Sequence, residues 1–326
     1  MIETAFTKLT GCKYPIMQGG MQWIGTSDLV AAVSNAGGLG IITALTYPTP
    51  DALKEGIART RTLTKNPFGV NLTILPAITP PPYEKYVDVI IECGIKIVET
   101  AGNNPGPHIK RLKAAGIKII HKCTAIRHAI SAQKLGVDMV SIDGFECGGH
   151  PGEDDIGGLV LLARSAQVLT IPYIASGGIG TGRGLAAALA LGASGVNMGT
   201  RFLCTVESPS HHNIKEAMVK ATERDTALMF RTLHNTARVF KNKVSREVVE
   251  IEKKGNAKFE DIRHLVAGER GRKVYTTGDP DYGVWTAGQV VGLIHDIPTC
   301  QVLVQNIMKE AEDVIKQLNT SIKSKL

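Results

Sequence analysis

The chain has 326 residues, of which 43% are hydrophobic and 21% charged, so it can bury a sizeable core and global disorder is excluded. The formal net charge is +7, but the basic residues between positions 211 and 281 alternate with acidic ones, which is typical of a solvated surface rather than a nucleic-acid site. No apolar run in the sequence reaches the roughly 20 residues that a membrane-spanning helix needs.

Eight short apolar runs follow one another in the first two thirds of the chain, with helical stretches between them. Most are rich in Val and Ile and apolar on both faces, as expected for buried parallel strands. In chain order they cover residues 15–21, 39–45, 68–75, 95–102, 117–123, 138–144, 172–178 and 195–202. This alternation predicts eight βα units.

The intervening stretches carry helix signals. Residues 51–64 follow Pro50, and residues 126–135 and 184–191 each end before a glycine, at Gly136 and Gly192, as helix C-termini often do. The predicted fold is therefore an α/β TIM barrel, (β/α)₈. An open doubly wound sheet is the alternative, but no GxGxxG motif opens a helix with an acidic residue at the usual distance.

The pattern changes after residue 202. Residues 209–281 are charged and lack strand runs, which predicts a helical insertion, and residues 289–316 predict a final long helix. We therefore expect a barrel over residues 1–208 and a helical insertion or lid over 209–285. A C-terminal helix within 286–326 would complete the barrel.

The predicted strand ends indicate where a site would lie. In a TIM barrel the active site is at the C-terminal ends of the strands. Seven of these ends carry polar residues or glycines where Val or Ile would be ordinary. They are residues 18–21, 71–73, 100–102, 121–122, 143–144, 176–178 and 199–200.

The ends of strands seven and eight predict a phosphate site. Ser176-Gly177-Gly178 and Gly199-Thr200 offer backbone N–H groups without bulky side chains, at the usual phosphate position of this fold. A helix N-terminus after each loop would add a favourable dipole. The phosphate would belong to a cofactor or to a substrate. The alternative is that these glycines only make turns.

Two side chains near the other strand ends are candidates for chemistry. A buried Lys122 needs an anionic partner, which is either a flavin or Asp143 on the next strand, or both. His150 lies in a glycine-rich loop after strand six, where it would act as a general base or bind a substrate oxyanion; a structural role is the alternative. Cys147 and His150 lack further ligands at zinc spacing, so no metal site is expected.

Three other features concern a loop and the compartment. The proline-rich residues 76–82 predict either a gate over the mouth or a rigid connection. The six cysteines show no metal or redox spacing, which favours a reduced, intracellular compartment. The ending Ser324-Lys325-Leu326 would be a peroxisomal address in a eukaryote, whereas a bacterial chain would be cytoplasmic.

The ordered motifs PIMQGGMQW, FGVNLT, AGNNPG, HKCT, GFECGGHPGEDD, ASGGI and NMGTRF resemble those of the nitronate monooxygenase (2-nitropropane dioxygenase) family. The resemblance runs from about residue 12 to 204, and NTARV extends it to 239. It is greatest to a bacterial subgroup also described as NADH:quinone reductases. The FMN-dependent enoyl-acyl carrier protein reductase is a more distant relative, from which HKCT and HPGEDD depart.

This resemblance implies FMN in the barrel mouth, with His150 as the active-site histidine. By motif position, the implied cofactor-binding residues are Gly20, Met21, Gln22, Asn71, Thr73, Lys122, Asp143, Gly148, Gly149, Ser176, Gly177, Gly178, Gly199 and Thr200. Gly148 and Gly149 would leave space beside the ring. Arg238, Lys241 or Lys243 of the insertion would meet the pyrophosphate of a dinucleotide.

Three functions follow as hypotheses. The first is a flavin oxidoreductase that oxidises NAD(P)H with a quinone, or an alkyl nitronate with O₂. The second is an enoyl-thioester reductase. The third is a barrel that binds a phosphate ligand without catalysis.

Overall fold

The computed structural model describes residues 2–74 and 80–321. Eight parallel strands close into a barrel in sequence order. They are β1 (Ile16–Gln18), β2 (Leu39–Thr43), β3 (Phe68–Ile74), β4 (Ile97–Gly102), β5 (Lys118–Cys123), β6 (Met139–Asp143), β7 (Tyr173–Ser176) and β8 (Val196–Met198). The predicted TIM barrel is confirmed, and the doubly wound alternative is wrong because β8 pairs with β1.

Alternate residues of each strand face two different cores. One buried cluster fills the barrel interior and includes Met17, Leu39, Ile41, Ile97, Ile120, Met139 and Ile174. A larger cluster lies between the strands and the surrounding helices and takes Ile119 and Cys123 from β5. Because side chains alternate along a strand, Lys122 shares the inward face with Ile120, whereas His121 faces the helices.

One helix precedes β1, and the others follow the strands around the barrel. They are α1 (Ala5–Thr10), α2 (Ser27–Asn35), α3 (Pro50–Leu63), α4 (Tyr83–Glu92), α5 (Gly106–Ala114), α6 (Ile126–Lys134), α7 (Gly158–Val168), α8 (Gly182–Ala190) and α9 (Thr200–Leu203). Gly136 and Gly192 adopt φ of 88° and 90° after α6 and α8, which confirms the predicted helix ends.

The segment after the barrel strands is not wholly helical. It contains α10 (His212–Val219), α11 (Lys243–Glu252), α12 (Phe259–Val266) and α13 (Gly268–Thr277), but also β9 (Thr226–Met229) and β10 (Ala237–Phe240). The two strands pair antiparallel, so the expectation of an insertion without strands is wrong. The hairpin packs on α11 and α12 around its own small core, which includes Met229, Val239, Val248, Ile262 and Leu265.

The expected helix over residues 289–316 is also only partly correct. A short 3₁₀ helix covers Gln289–Leu293, and the long helix α14 begins later, at Cys300–Ser321. Gly292 and Pro298 interrupt the segment, and a proline cannot sit inside a helix without removing a hydrogen bond. The domain boundaries given above remain a proposal.

Two sequence features fall outside the described residues: most of the proline-rich loop, at 76–79, and the terminal Ser324-Lys325-Leu326. Among the helices that the structure describes, none is both long and apolar enough to cross a membrane.

Candidate active site

A cavity of about 1250 Å³ occupies the C-terminal mouth of the barrel. It is lined by the loops that follow the strands and by the insertion. All fifteen residues proposed from the sequence line it: Gly20, Met21, Gln22, Asn71, Thr73, Lys122, Asp143, Gly148, Gly149, His150, Ser176, Gly177, Gly178, Gly199 and Thr200. The barrel topology thus brings together residues that are up to 180 positions apart in sequence.

A buried carboxylate that the sequence reasoning missed organises the floor of the cavity. Glu99 of β4 is fully buried. Its carboxylate accepts hydrogen bonds from Gly20 N at 2.8 Å, Asn71 Nδ2 at 2.7 Å and Asn197 Nδ2 at 3.1 Å. Thr73 Oγ1 donates to Asn71 Oδ1 at 2.9 Å. Glu99 therefore fixes groups from three other strands, and its signal in the sequence was a charge inside an apolar strand.

Lys122 and Asp143 form an ion pair at the ends of neighbouring strands. Lys122 Nζ lies 3.5 Å from Asp143 Oδ2, with the lysine side chain 24% exposed. Burial opposes the charged lysine, but the carboxylates of Asp143 and Glu99 together raise the pKa of Lys122 above its ordinary value. Asp143 is thus the anionic partner that was expected for Lys122, and Lys122 presents a permanent positive charge to the cavity.

The first βα loop is held by hydrogen bonds to the second strand. Met21 N donates to Thr43 Oγ1 at 2.8 Å, and that hydroxyl donates back to Met21 O at 3.0 Å. Gln22 Nε2 reaches Leu45 O at 2.9 Å. These bonds leave the Met21 side chain on the cavity wall, where an ideal Cβ on Gly199 would lie 3.4 Å from its sulfur.

The loops after β7 and β8 present unpaired amides. Gly177 and Gly178 adopt φ of 83° and 74°, a conformation that favours glycine. For the N–H groups of Gly177, Gly178 and Gly199, the described residues provide no hydrogen-bond acceptor. Thr200 Oγ1 accepts from Gly288 N at 3.0 Å, which ties the C-terminal segment to this loop.

One expectation about these loops is wrong. The N-terminus of α8 was expected to face the phosphate site, but its first amide, Gly182 N, donates to Glu310 Oε2 at 2.6 Å. Thr181 Oγ1 caps the next turn by accepting from Gly184 N. Two amides of the first turn of α8 are therefore already paired within the protein, whereas those of Gly177 and Gly178 have no acceptor among the described residues.

His150 lies on the β6–α7 loop at the edge of the cavity. It is exposed to the cavity, but the surrounding protein displaces much of the bulk water and lowers the pKa of the imidazole, while Glu153 raises it in part. Net lowering keeps the ring neutral at neutral pH, which is the form that can accept a proton.

His121 is a second histidine among the residues that line the cavity, although its side chain lies on the outer face of β5. It is 6% exposed, and its Nδ1 lies 2.8 Å from Thr100 Oγ1. Burial lowers the pKa of His121 to about 4. This side chain is therefore neutral under ordinary conditions.

The expected roles of two groups of residues need correction. An ideal Cβ on Gly148 would lie 2.7 Å from Gly288 N, so this glycine serves backbone packing rather than space for a ring. Arg238 is 3% exposed and donates to Phe145 O, and Lys241 Nζ donates to Arg224 O. Neither is placed to meet a pyrophosphate in the cavity.

No group of three or more His, Cys, Asp or Glu residues suited to a metal ion occurs within the described ranges. All six cysteines are free thiols. Burial raises the pKa of Cys147, the cysteine nearest His150 in sequence, so it is not an activated nucleophile.

The chain is similar to known proteins along nearly its whole length. Residues 3–310 match the family described as Nitronate monooxygenase. A Rhodococcus jostii protein named (3aS,4S,5R,7aS)-5-hydroxy-7a-methyl-1-oxo-octahydro-1H-indene-4-carboxyl-CoA dehydrogenase is 33% identical, covering 95% of this chain and 96% of its own. A probable nitronate monooxygenase of Staphylococcus saprophyticus is 30% identical, covering 97% and 99%. The structure of FabK from Thermotoga maritima is 37% identical, with a TM-score of 0.91, covering 99% and 100%.

Proposed function

The chain belongs to the nitronate monooxygenase family, and we propose that it is an FMN-dependent oxidoreductase that oxidises NAD(P)H with a quinone, alkyl nitronates with O₂, or both. One observation carries this proposal. The unpaired amides of the β7 and β8 loops share a cavity with the Lys122–Asp143 pair and with neutral His150. A phosphate site, a fixed positive charge and a proton acceptor are thus available to one ligand set.

The residues present fit FMN. Gly177, Gly178, Gly199 and Thr200, with Ser176, would hold the phosphate through loop amides and hydroxyl groups. Asp143 Oδ1 is buried without a hydrogen-bond partner in the described part of the chain, which indicates a donor supplied by a ligand. Gly20, Met21, Gln22, Asn71, Thr73, Lys122 and Gly149 are proposed to surround the ring, while Gly148 lines the same cavity and packs against Gly288.

When bound, FMN would supply the electron transfer that the chain's own side chains lack. Lys122 would stabilise negative charge on a ligand in the mouth, because its own charge is held by two carboxylates. His150 would accept a proton from a neutral nitroalkane, whereas a nitronate is already deprotonated and needs no base. The insertion lines one side of the mouth through Tyr275 and Trp285, and Thr286 follows directly after it; this wall would limit water near the reacting atoms.

An enoyl-thioester reductase is the second candidate. The likeness to FabK at 37% identity and to a relative whose name specifies a carboxyl-CoA substrate favours it. The cavity of about 1250 Å³ also exceeds the roughly 300–1000 Å³ of a typical single-ligand pocket. Space therefore remains for a substrate larger than an alkyl nitronate.

The third hypothesis, a barrel that only binds a phosphate ligand, is tested by colour, because purified protein with bound flavin is yellow. Both relatives described above come from bacteria, so we propose the cytoplasmic location; nothing in these likenesses supports the peroxisomal one.

Anaerobic reduction of the purified holoprotein distinguishes the three activities: quinone reductase, nitronate monooxygenase and enoyl-thioester reductase. NADH, NADPH and propyl nitronate are mixed separately with the protein, and flavin bleaching is followed by stopped flow. Bleaching by NADH followed by reoxidation with a benzoquinone supports the quinone reductase activity. Bleaching by the nitronate alone supports the monooxygenase, and consumption of an enoyl thioester with NAD(P)H as the only productive reaction would replace both.

A further inference from the structure

The described part of the chain gives the His150 side chain no hydrogen bond of its own. No described group donates to or accepts from its imidazole. A proton-transferring side chain is usually oriented by a neighbouring group. The position of this ring must therefore come from the backbone on either side of it, between Gly149 and Glu153.

The first anchor is a backbone bridge to the insertion. Gly149 N donates to Arg238 O at 3.0 Å, and Arg238 N donates to Gly149 O at 2.6 Å. The Arg238 guanidinium lies 4.7 Å from the centre of the Phe145 ring and donates to Phe145 O at 2.9 Å. The buried arginine thereby holds the start of the loop at two points.

The second anchor is a carboxylate on the other side of His150. Glu153 Oε1 accepts from Thr236 N at 2.7 Å, and Glu153 Oε2 accepts from Thr236 Oγ1 at 2.6 Å. Thr236 is 1% exposed and Glu153 is exposed, so the buried threonine donates two charge-assisted hydrogen bonds to a carboxylate whose other side faces solvent. The nearby Asp155–Arg231 pair, with side chains 45% and 40% exposed, adds less.

Both anchors use one short segment, residues 236–238, at the start of β10. Between them lie His150, Pro151 and Gly152. The ring of Pro151 fixes its own φ, and Gly152 adopts a φ of 80°. Asn235, Thr236 and Ala237 also line the cavity. A shift of this segment would therefore move the ring of His150 and the adjoining cavity wall together.

We propose that Glu153 is a positioning residue for His150, and that the insertion holds the β6–α7 loop in its working place through Thr236 and Arg238. The role of His150 in turnover rests on the proposed function, whereas its placement by Glu153 does not. The negative charge of Glu153 also favours the protonated ring of His150 and so opposes the effect of burial on its pKa.

Glu153→Gln tests this in the holoprotein. Glutamine retains the shape but loses the charge and one of the two acceptors. NMR titration of the histidine ring protons, assigned with His150→Ala, should show the pKa of His150 falling further below its wild-type value. Turnover of the substrate that the anaerobic reduction experiment identifies should fall roughly 10- to 100-fold, as for a catalytic group displaced by up to 1 Å. The FMN content should not change.

Thr236→Val separates geometry from charge. It removes one hydrogen bond and keeps the carboxylate, so turnover should fall while the titration of His150 stays near wild type. Glu250→Gln, on the exposed face of α11 beside Lys253, is the matched control and should change neither readout. If Glu153→Gln does not fold, Thr236→Val carries the test.

Wild-type turnover and titration in Glu153→Gln, or wild-type turnover in Thr236→Val, would overturn the positioning role. A protein that turns over none of the substrates would reject the proposed function; changed chemical shifts of the His150 ring protons in Thr236→Val, with its titration unchanged, would then still support the placement of His150.

Discussion

Lys122 Nζ lies 3.5 Å from one oxygen of Asp143, while the other oxygen of that carboxylate is buried without a partner among the residues described. The two side chains end neighbouring strands and both line the cavity. A buried carboxylate oxygen that accepts no hydrogen bond destabilises the folded protein, even when the other oxygen of the same carboxylate is paired. It is accounted for if a ligand donates to it, as a flavin ring N–H would.

Lys122→Met should lower the FMN content of the purified protein and destabilise it. The change leaves Asp143 buried without its cation, which costs on the order of 3–5 kcal/mol in such pairs. The double variant Lys122→Met/Asp143→Asn should recover much of the stability but not the flavin. Flavin-to-protein ratios and urea unfolding midpoints measure the two effects, and full FMN occupancy in both variants would contradict the assignment.

The released cofactor should be FMN and not FAD, because we propose a single phosphate site at the β7 and β8 loops and the sequence lacks a dinucleotide fingerprint. Chromatography after denaturation decides this. Gly199→Val is a cleaner companion variant than a change at Gly178, because Gly178 has a φ of 74° and any side chain there is strained. Gly199→Val should yield mostly apoprotein with unchanged circular dichroism; stoichiometric FMN would place the phosphate elsewhere.

The barrel could be predicted from sequence because a buried parallel strand is apolar on both faces and leaves a continuous Val- and Ile-rich run. The β9–β10 hairpin could not. Its strands have four residues each, and its turn places Phe230 and His234 at φ of 63° and 50°, where Gly or Asn would have given a turn signal.

The site shows the same division. Residues at strand ends were found because their position alone marks the barrel mouth. Glu99 was missed because its role depends on strand register, which brings donors from β3, from β8 and from the loop after β1 to one carboxylate. The anchoring of His150 was missed because Glu153 and Thr236 are 83 residues apart.

His150→Ala should keep the fold and the flavin but reduce turnover of a neutral nitroalkane by roughly 10²–10⁴-fold, the range for a lost general base. Turnover of the corresponding nitronate should fall much less, since that substrate is already deprotonated. Steady-state kinetics with nitroethane and ethyl nitronate give the comparison. Equal activities of variant and wild type on both substrates would return His150 to a structural role.

Gly268→Trp should separate large from small substrates. Gly268 begins α13 and lines the cavity, and an ideal Cβ there meets no atom within 4 Å. A side chain there clashes with no neighbouring atom, and we expect the indole to extend over the cavity that Gly268 lines. We expect flavin reduction by NADH, or turnover of a long enoyl thioester, to slow about 10-fold or more, a loss of roughly 1.4 kcal/mol, with propyl nitronate unaffected. Glu269→Trp, exposed and outside the cavity lining, is the control, and equal slowing in both variants would argue against a large substrate in this region.

Buried His121 should make the fold sensitive to mild acid. Burial lowers its pKa to about 4, whereas an imidazole in the unfolded chain titrates near about 6.5. Below pH about 6.5, His121 is protonated in the unfolded chain but stays neutral in the folded protein. The free energy of unfolding therefore decreases as the pH falls from about 6.5 towards 4, and it changes little from this cause below that. Between pH 7 and pH 5 this loss of unfolding free energy amounts to about 2 kcal/mol from His121 alone.

The variant His121→Gln removes the titration while keeping a polar group that can reach Thr100 Oγ1. Its loss of unfolding free energy between pH 7 and pH 5 should therefore be smaller than that of the wild type by about 2 kcal/mol. Urea unfolding at both pH values, followed by circular dichroism, measures the difference; an identical loss in the two proteins would show that His121 is not the buried neutral histidine inferred from its contacts.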